Sequence, residues 1–281
     1  YKTAMKRVDS VISLIYSMSK AEKKAFSVQM LKDKEEKDYL VIYDIITKSK
    51  QLDSKNVKGE FHKRRPGGSF EVSIQYLYER LTDSLLTLRK KKDIYYDLLN
   101  NLCKARMLYE RSLFEECFEI LSDTIEQATY YENNEVLTIA LKLELEYLLR
   151  LNFPNLAESE LYHKHFMQNE ALKKTRKIVE QSSLHNLLKY RLSHIGSIRT
   201  SKQKQDMNDL MVNELSIAAS SGIEGNFELM RNHRLFQANY LMGAGEYKAA
   251  LNSYKELSRL FEQNRQFWSN PPIYYLSVLD G

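Results

Sequence analysis

Two helical patterns, joined by the short segment Gly243-Ala244-Gly245-Glu246, occupy residues 226–264. Glycine readily adopts the left-handed backbone conformation that ends a helix, so this segment is typical of a tight turn between two helices. Tyr247, Ala250 and Tyr254 follow the turn at helical spacing and supply one small and two large contact residues. The pattern predicts an antiparallel helical hairpin, a unit that buries its apolar face only by stacking on neighbouring units.

The composition of the chain favours long helices. Only 9 Gly and 4 Pro occur among 281 residues, whereas an all-β fold requires many turns. No apolar run approaches the roughly 18 residues of a membrane-spanning helix. Cys103 and Cys117 are too few for a disulfide scaffold, and their positions on apolar helical faces predict buried, reduced thiols. We therefore expect a cytoplasmic, all-α protein with no membrane partner.

The part of the chain from Ile94 onward is expected to be an array of helix pairs. Its first helices begin near residues 95, 135, 182 and 226, which gives repeat lengths of about 40, 47 and 44 residues. The segment 199–206 is interpreted as a polar connection, and the apolar run 273–279 as the start of a fifth pair. The four predicted pairs are 95–109 with 112–130, 135–151 with 156–178, 182–198 with 207–220, and the two halves of 226–264.

The hairpin at residues 226–264 resembles a tetratricopeptide repeat (TPR). The positions that match its turn, aromatic and small residues are Gly245, Tyr247, Ala250 and Tyr254. Residues 98–130 resemble a weaker TPR, in which Ser112 takes the place of the turn glycine. The opening segments MSKAEKKAF, DYLVIYDIITKSKQ and SFEVSIQYLYERL resemble the amino-terminal region of a group of bacterial TPR-like helical proteins of undefined biochemical role. These resemblances cover about half of the chain and imply a right-handed α-α superhelix with protein or peptide partners.

Residues 1–93 are expected to form a separate, basic segment of five helices ahead of the array at 94–281. The first helix is predicted to end near Met18, and Ser19 and Glu22 have the spacing of a capping box for the second. Asp53 is in position to cap a short fourth helix. A basic loop that contains proline and two glycines then precedes a long fifth helix, which begins at Ser69.

The basic excess of the chain lies in its first third. Residues 1–95 carry 21 Lys and Arg against 13 Asp and Glu, a net charge of +8, whereas the remainder carries 21 against 24, a net charge of −3. Cations before and after a long helix suit phosphate contacts on either side of a groove. An alternative function is therefore nucleic-acid binding or transcription regulation through residues 1–93. The candidate contact residues are Lys63, Arg64, Arg65, Arg80, Arg89, Lys90, Lys91 and Lys92.

The sequence contains no recognisable catalytic or metal-binding motif. His163 and His165 stand two residues apart, so their side chains point about 200° apart on a helix and do not ligate one metal together. His185 and His194 are interpreted as surface or interhelical residues, and Glu144 as a solvated helix charge. GxSxG, HExxH, Walker-type and GxGxxG motifs are absent from the sequence. We therefore expect no catalysis, no metal and no cofactor.

The function that the helical array predicts is non-catalytic binding of a protein or peptide in a concave groove. The TPR resemblance implies that the first helix of each pair lines this groove. The candidate peptide-binding residues are Arg106, Tyr109, Lys189, Tyr190, Asn239 and Met242. Asparagine amides and basic side chains suit the unpaired backbone groups and the carboxylate of an extended peptide.

The ends of the sequence lead us to expect a longer natural protein. The chain stops at Gly281, directly after the apolar run 273–279. It opens at Tyr1 rather than at a methionine, which leaves a removed leader as an open alternative.

Overall fold

The structure is a computed structural model that describes residues 2–30, 37–48, 53–90, 92–195, 200–220 and 225–269. This part of the chain is all-α, with twelve α-helices, one short 3-10 helix and no strand. The chain divides into two compact units, Tyr1–Lys92 and Asp93–Gly281. The predicted start of a fifth pair at residues 273–279 lies outside the described residues.

Five helices are described in the amino-terminal unit. Helix α5 packs against each of the other four, so the core of the unit lies along one side of this long helix. Phe26, Ile42, Phe61 and Leu77 lie in that core and are inaccessible to solvent. The helices are α1 (Lys2–Ser17), α2 (Lys20–Met30), α3 (Asp38–Lys48), α4 (Ser54–Arg64) and α5 (Phe70–Lys90).

Two predicted helix caps are present in this unit. The Glu22 N–H donates to Ser19 Oγ at 3.2 Å, and the Ser19 N–H donates to Glu22 Oε2 at 2.7 Å, which confirms the capping box of α2. Hydrogen bonding of the Glu22 carboxylate to the Ser19 backbone, and then to the Ser19 side chain, lowers the pKa of Glu22. Asp53 Oδ1 accepts from the Asn56 N–H at 2.8 Å and caps α4, as predicted.

Seven α-helices are described in the carboxyl-terminal unit. Five of them, α6, α7, α8, α11 and α12, have the same length of 17 residues, whereas α9 has 38 residues. The helices are α6 (Ile94–Glu110), α7 (Phe114–Tyr130), α8 (Asn134–Arg150), α9 (Glu158–Ile195), α10 (Ser201–Ser220), α11 (Phe227–Gly243) and α12 (Tyr247–Gln263); the 3-10 helix is Arg265–Ser269.

Four turns between these helices share one geometry. In each, the second residue after the end of the helix has a positive φ, and the N–H of the third returns to a carbonyl five residues earlier, as in a Schellman motif. The residues with positive φ are Ser112 (61°), Glu132 (50°), Asn152 (59°) and Gly245 (80°). The returning hydrogen bonds are Leu113 to Leu108 (3.0 Å), Asn133 to Ala128 (2.8 Å), Phe153 to Leu148 (2.8 Å) and Glu246 to Leu241 (2.9 Å). Ser112 therefore occupies the same turn position as Gly245.

The prediction of separate helices at 156–178 and 182–198 is wrong, because α9 is continuous from Glu158 to Ile195. No glycine or proline lies between residues 178 and 182, so nothing in the sequence ends the helix there. The Ser183 hydroxyl donates to the Val179 carbonyl at 2.8 Å, which accommodates a polar residue within the helix. As a result, the second and third predicted pairs share one long helix.

The interpretation of residues 199–206 as a connection is also wrong for its described part, because α10 begins at Ser201. The Gln203 N–H donates to Thr200 Oγ1 at 3.2 Å, and the Thr200 N–H donates to Gln203 Oε1 at 3.0 Å. This reciprocal pair is a capping box, and it starts α10 six residues earlier than the apolar pattern predicts.

The second half of α9 runs parallel to α11, and α10 runs antiparallel to both. Ser182 contacts Asn232, and further along both helices Gly243 lies so close to Leu192 that a Cβ on the glycine would meet the leucine at 2.4 Å. In the opposite direction along α10, Glu214 contacts the middle of α11 and Asn208 contacts its end. Helix α12 packs back along α11 as the predicted hairpin.

Candidate functional site

A pocket of about 430 Å³ opens between α7, α8 and the first turns of α9. This volume lies within the range of roughly 300–1,000 Å³ that is usual for ligand sites. Apolar side chains come from all three helices and from the turn before α9, whereas the polar ones come from α9 alone. The lining residues are Ile125, Leu141, Leu156, Ser159, Glu160, His163, Lys164 and Met167.

Lys164 is the cation of this pocket, and Glu144 holds it in place. Lys164 Nζ donates to Glu144 Oε1 at 2.8 Å, although the two residues lie 20 positions apart on different helices. Only 8% of the Glu144 side chain and 24% of the Lys164 side chain are exposed. The interpretation of Glu144 as a solvated charge is therefore wrong, because α9 packs over it.

Lys164 retains hydrogen-bonding capacity toward a ligand. An ammonium group has three donors, and the bond to Glu144 uses one of them. A carboxylate or a backbone carbonyl entering the pocket is a suitable acceptor for another. Beside it, Ile125, Leu141 and Met167 offer apolar contact. The arrangement can hold an apolar side chain next to an acceptor group.

The six predicted peptide-binding residues occupy different environments. Arg106 is exposed and pairs with Glu110 at 3.2 Å. Tyr109 packs between helices, because its ring stacks on Tyr147 of α8 with 3.8 Å between the ring centroids. Met242 is 45% exposed at the end of α11.

The predicted residues on α9 and α11 are similarly divided. Asn239 is buried, and its Nδ2 donates to the Leu235 carbonyl at 2.9 Å and lies 3.1 Å from His185 Nε2. Burial first, and then the charges of Lys189 and Arg231, lower the pKa of His185 to about 4. Lys189 and Asn239 thus both lie near His185, which is neutral at pH 7. Tyr190 is exposed, and its ring lies 4.0 Å from that of His194.

A second polar contact joins α10 to α11. His233 Nδ1 lies 2.7 Å from Glu214 Oε1, and Gln181 of α9 lies 3.5 Å from the same oxygen. The Glu214 side chain is inaccessible to solvent and that of His233 is 14% exposed. This group links polar side chains of three helices within the helix packing, while Gln181 Oε1 and Glu214 Oε2 are buried without a hydrogen-bond partner among the described residues.

The cations proposed for nucleic-acid binding have carboxylate or aromatic neighbours. Lys63 pairs with Glu60 at 2.6 Å, Arg64 with Asp44 at 3.1 Å and Arg65 with Asp38 at 3.6 Å. Arg80 donates to the Tyr76 hydroxyl and lies over its ring. The charges of Lys92 and Arg89 act on Glu22. Lys90 is partly exposed at the end of α5, and Lys91 lies outside the described residues. These contacts reduce the positive field that the sequence alone suggests.

Both cysteines are free, but their environments differ. Cys117 is buried as predicted, and burial raises the pKa of its thiol. Cys103 is exposed, so the prediction of a buried thiol is wrong at this position. Residue 103 lies on the α6 face that the neighbouring helices do not cover, whereas Leu98, Leu102 and Ala105 form its packed face.

Across the described part of the chain, no three His, Cys, Asp or Glu side chains come close enough together to hold a metal ion. Every helix in the same residues is too short or too polar to cross a membrane. The chain matches no protein-family model, no curated protein and no solved structure.

The sequence does not predict this pocket, although one of its residues, His163, is assessed from the sequence as a possible metal ligand. The missing information is the position of α9 relative to α7 and α8, since the pocket exists only where Lys164 approaches Glu144 and Ile125. A helical pattern identifies faces within one helix and does not give this pairing between helices.

Proposed function

We propose that this chain is a non-catalytic, TPR-like scaffold of the cytoplasm that binds a protein or peptide partner. The equal lengths of five helices and the shared geometry of four turns support a helical-repeat architecture. The resemblance of residues 226–264 and 98–130 to TPR units supports a right-handed superhelix. Two free cysteines are in keeping with a reducing compartment.

The observation that carries this proposal is the pocket beside Lys164. Its apolar wall and its fixed ammonium suit a peptide that carries a medium-sized apolar side chain next to a carboxylate. Such an anchor residue is the usual source of peptide affinity, because one buried side chain contributes more than many rim contacts. The site thus differs from the groove of first helices that the sequence predicts.

A selection from a displayed library of random peptides tests this proposal. We expect enriched peptides to share an apolar residue adjacent to Asp, Glu or the terminal carboxylate. Fluorescence anisotropy then compares the wild type with Ser159→Tyr, which places a large side chain at the exposed edge of the pocket. The expected loss of affinity is about tenfold or more.

Ser193→Tyr is the matched control, since Ser193 is exposed on the same helix but does not line the pocket. A second variant, Glu144→Met with Lys164→Met, removes both charges together and avoids a lone buried charge. This double variant should bind peptides that carry the carboxylate more weakly than the wild type does, and it should bind their amide analogues with unchanged affinity. Failure to enrich any peptide, or equal affinity for Ser159→Tyr and the wild type, would refute the proposal.

A further inference from the structure

Helix α9 carries a row of large apolar side chains on its exposed side. Six of them are between 48% and 69% exposed, far more than the buried residues on the opposite side of the same helix, Ala171, Gln181 and Leu188. At about 100° per residue, the six fall within an arc of about 140°. They are Tyr162, Phe166, Leu172, Val179, Leu187 and Tyr190.

These six residues are arranged nearly symmetrically about position 176. Tyr162 and Tyr190 have their midpoint at residue 176 itself. The midpoints of the other two pairs, Phe166 with Leu187 and Leu172 with Val179, fall half a residue to either side. When two identical helices pack antiparallel across a two-fold axis, each residue meets the one at equal distance on the other side of the axis. Across the axis, Tyr162 of one copy therefore lies near Tyr190 of the other, Phe166 near Leu187, and Leu172 near Val179.

The charges on the same face are complementary in the antiparallel arrangement. The midpoint of Lys173 and Glu180 lies half a residue from the axis, so each lysine lies close to the glutamate of the other copy. Near the ends of the helix, the carboxylate of Glu158 and the imidazole of His194 have their midpoint at residue 176. Arg176, at the axis, is neutralised by Glu180 of its own chain at 2.9 Å. A parallel arrangement would instead place each of these side chains against the identical side chain of the other copy.

The exposed area is sufficient for a substantial contact. With roughly 200 Å² per aromatic side chain, Tyr162, Phe166 and Tyr190 together expose roughly 400 Å². That is about half of the ~800 Å² that each partner contributes to a standard interface. The helix, about 57 Å long at 1.5 Å per residue, provides the remaining surface.

We propose that the exposed face of α9 binds a second copy of this chain, with the two α9 helices antiparallel and the two-fold axis at residue 176. The contact is separate from the peptide pocket, since Ser159, His163 and Lys164 do not belong to the apolar row. Each dimer would then carry two peptide pockets.

Disulfide cross-linking of the full chain tests the geometry. All variants carry Cys103→Ser, because Cys103 is exposed. Arg176→Cys should form a covalent dimer under mild oxidation, since residue 176 meets its own counterpart at the axis. Tyr162→Cys alone should not form a covalent dimer, because residue 162 of the other copy lies opposite residue 190, about 42 Å along the helix at 1.5 Å per residue. Mixing Tyr162→Cys chains with Tyr190→Cys chains should restore cross-linking.

Sedimentation equilibrium tests the energetics. Tyr162→Glu should raise the dimer Kd by about tenfold or more, because each dimer loses two aromatic contacts. Tyr247→Glu is the matched control, since Tyr247 is 65% exposed on α12, against 69% for Tyr162 on α9. Circular dichroism should show unchanged helix content in both variants. The proposal fails if the wild type remains monomeric at high micromolar concentration, if Tyr162→Cys cross-links to itself, or if both glutamate variants have the same effect.

Discussion

Glu132 caps a helix that begins 95 residues later in the chain. Its Oε2 atom accepts from the backbone N–H of Phe227, the first residue of α11, at 2.9 Å. Asn226 caps the same helix by accepting from the Leu229 N–H at 2.9 Å. Glu132 lies in the turn between α7 and α8, where its φ is 50°. One turn residue thus links the α6–α7 hairpin to the α11–α12 hairpin.

Glu132→Ala should destabilise the protein by about 1–2 kcal/mol, because it leaves a partly buried N–H at the start of α11 without its acceptor. Glu132→Gln should cost less, since the amide oxygen remains an acceptor for the Phe227 N–H. Urea unfolding followed by circular dichroism measures both differences. Equal stability of the alanine variant and the wild type would mean that the contact contributes nothing.

The burial of Glu132 also predicts that the stability difference between the wild type and Glu132→Gln depends on pH. Burial raises the pKa of Glu132 above its ordinary value of 4.5, so the folded state binds more protons than the unfolded state just above pH 4.5. This contribution to stability therefore falls as the pH rises from 4.5 through the folded pKa. Glutamine does not titrate, so Glu132→Gln should gain stability relative to the wild type between pH 4.5 and neutral pH. A difference that is constant with pH would contradict the assignment.

The equivalence of the Ser112 and Gly245 turns predicts opposite effects of exchanging the two residue types. Ser112→Gly should stabilise the protein by about 1 kcal/mol, because a side chain at φ 61° is strained. Gly245→Ser should destabilise it by a similar amount at φ 80°. Gly59→Ala, in the open middle of α4, serves as the control and should stabilise by about 1 kcal/mol through helix propensity. If Ser112→Gly and Gly245→Ser both stabilise the protein, or both destabilise it, the two turns do not share one geometry.

The sequence predicts those parts of the fold that depend on neighbouring residues. The capping box at Ser19, the Asp53 cap and the hairpin turn at Gly245 are all local signals, and each appears in the structure. The Thr200–Gln203 box is a local signal of the same kind, and it marks the start of α10 that the apolar pattern places six residues too late.

Other features depend on contacts that no local pattern encodes. The continuity of α9 rests on the absence of any strong helix breaker near residue 180. The burial of Glu144 and of Asn239 depends on which helices pack over them. Exposed Cys103 shows the converse, an apolar helical face that no neighbour covers. Pairing between distant helices is therefore the missing information.

Removing one partner of the Glu144–Lys164 pair should be costly, whereas removing both should not. Lys164→Met leaves the Glu144 carboxylate buried without its cation, and we expect a loss of about 3 kcal/mol. The double variant Glu144→Met with Lys164→Met should lie within about 1 kcal/mol of the wild type. Urea unfolding of the two single variants and the double variant gives the coupling directly. Additive losses would show that the two charges do not interact.

The ion pairs of the basic loop predict that it contributes little to nucleic-acid binding. Changing Lys63, Arg64 and Arg65 together to glutamine should leave the affinity for duplex DNA and its salt slope unchanged, since each cation already contacts a carboxylate. Lys248→Gln with Lys255→Gln and Arg259→Gln is a control with the same charge change, because these exposed cations of α12 lie outside residues 1–93. If the loop does bind phosphates, the slope should flatten by about 0.9 per lost contact, and the alternative function would regain support.

Methyl NMR of the full chain tests the central claim most directly. Met167 and Ile125 supply methyl groups inside the proposed pocket, whereas Met242 supplies one on α11, among the groove residues that the sequence predicts. Titration with a selected peptide that carries an apolar residue beside a carboxylate should shift the Met167 and Ile125 signals and leave Met242 unchanged. Shifts at Met242 without shifts at Met167 and Ile125 would contradict the assignment of the pocket.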